Sequence, residues 1–112
     1  MSKSPITTHV LDTAIGRPAA GVRITLEFDD GGFSEIASGV TDDDGRIGNL
    51  LEGSLRPGVY RMTFFVADYL AKDGREGFYP QVPVVFSIVA TDEHYHVPLL
   101  LNPFGYSTYR GS

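Results

Sequence analysis

The sequence predicts an all-β sandwich, and three observations carry that expectation. Apolar and polar residues alternate in short runs, the mark of strands with one face on a core and one in water. Clusters of Gly, Asp, Asn and Pro interrupt the chain at roughly ten-residue spacing. Only one stretch, Ala67 to Glu76, reads as a helix. It is two or three turns at most, too short to organise the fold, and is closed by Gly74 or Gly77.

The elements follow in order. Thr7 to Leu11 forms a first strand. Val22, Ile24, Leu26 and Phe28 alternate with Arg23, Thr25 and Glu27, which makes a second. Asp29-Asp30-Gly31-Gly32 tolerates positive φ and reverses the chain into Phe33 to Thr41, completing a hairpin. Asp42-Asp43-Asp44-Gly45 is a second turn, lacking the spaced ligands and closing Glu of a calcium loop. Arg56-Pro57-Gly58 is a third, leading into the aromatic and β-branched run Val59 to Val66. Val82 to Ala90 is a strand that admits Pro83 at its start or on an edge, and Thr91-Asp92-Glu93 turns the chain into His94 to Leu101. Asn102-Pro103-Phe104-Gly105 reverses it once more into Tyr106 to Tyr109. About eight short strands with such turns make the pattern of an antiparallel sandwich.

The 112 residues make a single domain over 1–112, with residues 1–4 a flexible lead-in. A net charge of −5 provides no basic patch, so neither nucleic acid nor an anionic membrane is the expected partner. The absence of cysteine removes disulfides, thiolate zinc sites, iron–sulfur clusters and a cysteine nucleophile, and makes stability independent of redox compartment. No segment has the apolar length of a secretory signal or a membrane span, and the simplest placement is the cytoplasm.

Chemistry must then come from His, Ser, Thr, carboxylates or Arg. The three histidines are His9, His94 and His96. On a strand, His94 and His96 share a face while Tyr95 points to the other, and His9 joins them if the first strand packs alongside. Such a trio can hold zinc, can do metal-free acid–base work near neutral pH, or can be half-buried spacers. Arg46 leaves the corner made by the acidic turn; its guanidinium either grips a carbonyl or a developing oxyanion, or pairs with a neighbouring Asp on the surface. The C-terminus carries strand-forming aromatics almost to the last residue, which is unusual for a chain end. Either it completes a sheet edge, or Tyr109, Arg110 and Ser112 reach a pocket or a subunit interface.

The segments Thr8-His9-Val10-Leu11-Asp12, Thr41-Asp42-Asp43-Asp44-Gly45-Arg46, Phe78-Tyr79-Pro80, His96-Val97-Pro98-Leu99-Leu100-Leu101 and the terminal Tyr106-Ser-Thr-Tyr-Arg-Gly-Ser112 together resemble the 5-hydroxyisourate hydrolases, the enzymatic branch of the transthyretin family. The likeness runs from about residue 5 to the end. The resemblance implies a transthyretin-like β-sandwich of two four-stranded antiparallel sheets with one short helix, assembled as a homotetramer with sites at the dimer–dimer interface. It implies metal-free, cofactor-free hydrolysis of 5-hydroxyisourate, the product of urate oxidation, to 2-oxo-4-hydroxy-4-carboxy-5-ureidoimidazoline. His9, Arg46 and His96 match the catalytic residues, and His9, Arg46, Tyr109 and Ser112 match those that bind substrate. His94 is then a histidine without a role. The competing expectations are a non-catalytic carrier of a small aromatic ligand on the same sandwich, and a zinc hydrolase using the three histidines.

Overall fold

The computed structural model describes residues 4–111. Eight strands and one helix follow in order: β1 (Ile6–Asp12), β2 (Arg17–Pro18), β3 (Arg23–Asp29), β4 (Phe33–Val40), β5 (Gly58–Phe64), α1 (Val66–Ala71), β6 (Val82–Ile88), β7 (Tyr95–Asn102) and β8 (Gly105–Thr108). They form two four-stranded sheets in the orders β2-β1-β7-β8 and β4-β3-β5-β6. Their inner faces supply the core: Ile6 and Val10 from β1, Ile24, Leu26 and Phe28 from β3, Tyr60, Met62 and Phe64 from β5, and Val97, Leu99 and Leu101 from β7. Burying side chains of this size contributes about 1.5–3 kcal/mol each relative to exposure. The Tyr60 hydroxyl enters the core without stranding a polar atom, because it donates to the Arg56 carbonyl at 2.7 Å and accepts from the Arg56 N–H at 3.1 Å.

The predicted hairpin is β3–β4, antiparallel, with a bulge between Leu26 and Glu27. Three details differ from the reading of the sequence. First, the sheets are not wholly antiparallel: β1 and β7 run parallel, with Thr7 opposite His96 and His9 opposite Pro98. Local turn chemistry dictates direction only between strands joined by a tight turn. Everything from β2 to β6 intervenes between β1 and β7, and the expected antiparallel pairing has no such turn behind it. Second, β2 is only two residues long, too short for periodicity to reveal, and pairs with Leu11 and Asp12. Third, the helix ends at Ala71 rather than Glu76. Gly74, at φ +67°, closes it, with its N–H on the Ala71 carbonyl and the Arg75 N–H on that of Leu70. The Arg75 side chain is drawn instead to Asp12 on β1, at 2.7 Å.

Of the lead-in expected over residues 1–4, residues 1–3 lie outside the described residues. Ser4 is buried; its hydroxyl donates to the Ile6 carbonyl at 2.6 Å and accepts from the Leu51 N–H at 3.1 Å. No helix among the described residues is long and apolar enough to cross a membrane.

Candidate active site

Strand β1 has two faces with different duties. Ile6, Thr8, Val10 and Asp12 are buried, while Thr7, His9 and Leu11 lie half-buried on the opposite face. The inward polar groups are bonded: Thr8 donates to the Val97 carbonyl at 2.6 Å, and Asp12 accepts from Tyr69 and Arg75, each at 2.7 Å. The outward face presents the chemistry. The parallel register sets Thr7 beside His96 on β7, and His94, two residues earlier, falls on the same side.

Arg46 reaches this face through the acidic turn. The Asp42 carboxylate accepts from the N–H groups of Asp44 at 2.9 Å and Arg46 at 3.0 Å, so it is spent on the turn rather than on the Arg46 guanidinium. Gly45 takes φ +75°, and a Cβ there would collide with the Val10 carbonyl oxygen. That carbon-free approach lets the Val10 N–H donate to the Gly45 carbonyl at 2.8 Å and docks Arg46 against His9 in an isolated antiparallel bridge. Arg46 makes no ion pair with the described residues.

These residues border a cleft of about 440 Å³ lined by Thr7, Asp42, Arg46, Gly48, His94 and His96, among others. His9 stands next to it, close enough for its charge to be felt at His96. Burial, and then the charge of Arg46 and the proximity of His9 and His94, push His96 below the ordinary imidazole value of 6.5; a hydrogen bond with Thr7 opposes them. At neutral pH the ring is therefore uncharged and able to accept a proton. A base and an unpaired guanidinium facing one cleft can activate water and stabilise negative charge on a carbonyl oxygen. Among the described residues no three His, Asp or Glu side chains gather as a metal-ligand set.

The structure thus brings His9, Arg46 and His96 to one place. It does not bring Tyr109 there within a single chain. Tyr109 is 58% exposed and lines a different cavity, of about 290 Å³, with Val84, Phe86, Val97 and Arg110. Ser112 lies outside the described residues, but the tail reaches the site up to Gly111, whose N–H donates to the His96 carbonyl at 2.8 Å. Two residues escaped the sequence reading. Thr7 accompanies His96 at 2.8 Å; its parity with His9 on β1 was a readable signal, its register with β7 was not. Asp12 occupies an inward position of an alternating strand, where a carboxylate demands a partner.

The HIUase/Transthyretin family model matches residues 6–111. The 5-hydroxyisourate hydrolase of Salmonella dublin is 47% identical over 109 residues, spanning 96% of this chain and 80% of that protein. The mouse 5-hydroxyisourate hydrolase is 46% identical over 113 residues, spanning 97% and 96%. Among solved structures, 5-hydroxyisourate hydrolase from Klebsiella pneumoniae aligns with a TM-score of 0.86 at 35% identity, over 99% of this chain and 100% of that one. Sea bream transthyretin in complex with thyroxine aligns with a TM-score of 0.91, also at 35% identity, over 96% and 94%. The backbone accordingly does not separate enzyme from carrier, which leaves that distinction to the residues of the cleft. With a model match over nearly its whole length and close relatives across bacteria and animals, this chain belongs to the HIUase/Transthyretin family.

Proposed function

We propose that this protein hydrolyses 5-hydroxyisourate to 2-oxo-4-hydroxy-4-carboxy-5-ureidoimidazoline in urate degradation. The observation that carries the reading is that His96 and Arg46 face one cleft, with His9 beside it and bridged to Arg46. The near full-length likeness to 5-hydroxyisourate hydrolases supports it. Opening a cyclic amide with water requires a base for the water, positive charge for the developing oxyanion and an acid for the departing nitrogen. His96 takes the proton from water; Arg46 faces the oxyanion; the proton returns to the leaving nitrogen from His96, or from His9 beside it. Acid–base assistance of this kind contributes typically about 10²–10⁴-fold. Tyr109 and Ser112 belong to the same proposal as residues that orient the flat polar ring.

Tyr109 meets the cleft only if a second copy carries it there, so the reading includes a homotetramer with sites between its dimers. Exposed apolar side chains suit such an assembly: Val85, Val89, Phe78 and Phe104 are 58%, 83%, 71% and 72% exposed. A cytoplasmic setting is part of the same proposal; a chain without cysteine depends on no oxidising compartment, and cell fractionation tests it.

The decisive experiment generates 5-hydroxyisourate from urate with urate oxidase and follows its ultraviolet decay with this protein and with His96→Ala. Rapid decay with the wild type and near-background decay with the variant is the expected result. A folded wild-type protein that leaves the decay unchanged would transfer the assignment to a carrier of small aromatic ligands.

A further inference from the structure

We propose that Thr7 and His94 are positioning residues for this reaction, forming a hydrogen-bonded bridge that decides which nitrogen of His96 carries its hydrogen; the proposal rests on the reading of His96 as the group that takes the proton from water.

The Thr7 hydroxyl oxygen lies 2.8 Å from Nδ1 of His96 and 2.8 Å from Nε2 of His94. A hydroxyl has one hydrogen, so between two rings it donates to one and must accept from the other. Only two arrangements satisfy both contacts when the rings are neutral. In one, His96 donates Nδ1–H to Thr7, and Thr7 donates its hydrogen to Nε2 of His94. The Nε2 lone pair of His96 is then free to act as a base. In the other the chain of donors is reversed, His96 carries its hydrogen on Nε2, and that nitrogen cannot accept a proton. His94 therefore acts on the reaction at one remove, as the acceptor that holds the hydroxyl in the productive direction.

The surroundings restrict the His96 ring to this contact. The parallel β1–β7 register places Thr7 directly opposite His96 on the outer face of the sheet. On the ring's other side, a Cβ built on Gly111 would come within 2.5 Å of Cδ2 of His96, so the tail backbone packs against the imidazole. Nδ1 is engaged by Thr7, and Nε2 has no hydrogen-bond partner among the described residues. Arg46, His9 and His94 are the charged and titratable groups acting on the ring. Asp42 shares the cleft but accepts from the Asp44 and Arg46 N–H groups, and no Asp or Glu among the described residues hydrogen-bonds to His96, so the orienting task falls to Thr7.

The proton balance is simple. One proton of the attacking water passes to Nε2 of His96 as the water oxygen bonds to the carbonyl carbon. The ring C–N bond then breaks, and the same proton passes to the departing nitrogen. The Nδ1–H stays on His96 throughout, so Thr7 and His94 neither gain nor lose a proton over the cycle.

Three variants test the bridge: Thr7→Val removes the hydroxyl with little change of shape, Thr7→Ser keeps it, and His94→Ala removes the far acceptor. Thr7→Val is expected to lower kcat by about 10-fold or more, within the range that acid–base assistance contributes, with KM little changed. Thr7→Ser should restore most of that rate, and His94→Ala should lower kcat less than His96→Ala does. Independently of activity, ¹⁵N NMR of the imidazoles should find His96 protonated on Nδ1 in the wild type and displaced toward the Nε2–H form in Thr7→Val. An unchanged His96 tautomer in Thr7→Val, or equal rate losses in Thr7→Val and Thr7→Ser, would overturn the proposal. Failure of the wild type to consume 5-hydroxyisourate would instead sink the hydrolase reading, and the tautomer measurement would still decide whether the bridge exists.

Discussion

A base that works at neutral pH must be uncharged there, and His96 is held so by its neighbours. Burial, the Arg46 guanidinium and the proximity of His9 and His94 each disfavour the imidazolium, which moves its titration below 6.5. The sign for activity follows directly. The reaction needs the neutral ring, so kcat/KM should be flat near pH 7 and fall as acid is added, through a midpoint below 6.5. A rate profile that drops through a midpoint above 6.5 would contradict the assignment. Arg46 has a separate duty, because its charge matters most when the carbonyl oxygen becomes negative. Arg46→Ala should lower kcat by about 10²–10³-fold, the usual cost of removing an oxyanion donor, and steady-state kinetics would reveal it. The histidines were legible as candidates from their positions alone. The pairing of His94 with His96 through Thr7 was not, since Thr7 is 87 residues from one and 89 from the other.

At the scale of elements, two joints keep the site in place. The turn at Gly45 presses backbone against backbone where β1 passes, and its φ of +75° admits no side chain without strain. Gly45→Ala should destabilise the fold by at least about 1–2 kcal/mol and reduce activity together with stability, because Arg46 loses its anchor on β1; urea denaturation beside the kinetic assay checks both. The second joint ties β1 to α1 and the segment after it. The Asp12 side chain is fully buried, and its carboxylate accepts from Arg75 and Tyr69. Burial pushes this carboxyl up, but the bonds from Arg75 and Tyr69 outweigh it and hold the group below 3.8. Burial together with the Asp12 contact pushes the Tyr69 phenol up to about 12. Asp12→Ala should cost about 1–3 kcal/mol, since the Tyr69 hydroxyl loses its acceptor and Arg75, a fifth exposed, keeps only Asp73 at 3.2 Å. The linkage has a definite sign. A carboxylate depressed in the folded state stabilises above its unfolded value of about 3.9 and loses that contribution as the pH falls. Wild-type stability should thus drop from about pH 4 downward more steeply than that of Asp12→Ala, which acid titration of the denaturation midpoint measures.

For the whole molecule, the question is what a 112-residue sandwich does with an open cleft and large exposed apolar side chains. The proposed homotetramer would answer both at once, since a two-fold interface covers apolar surface and presents each site in symmetry-related pairs. Light scattering should return about four times the 12.2 kDa chain mass, and a fully active monomer would refute the interfacial site. The sandwich itself was legible because strand periodicity and turn residues are local signals. The turns at Asp29–Gly32, Asp42–Gly45 and Asn102–Gly105 fall where expected, each between a pair of extended segments or at a corner.

By itself the sequence determined the inward face of β3 and its approach at Val22, Ile24, Leu26 and Phe28, where the chain turns, that cysteine chemistry is absent, and, through the motifs around His9, Arg46 and His96, the family. Each of these depends on a residue and its near neighbours, so it survives translation into one dimension. Tertiary structure alone decided that β1 lies parallel to β7, that Thr7 thereby meets His94 and His96, that Arg75 leaves the helix to neutralise Asp12, and that Tyr109 faces a second cavity within its own chain. These depend on register between strands far apart in sequence, and no local pattern encodes a register that only the packing of the two sheets selects.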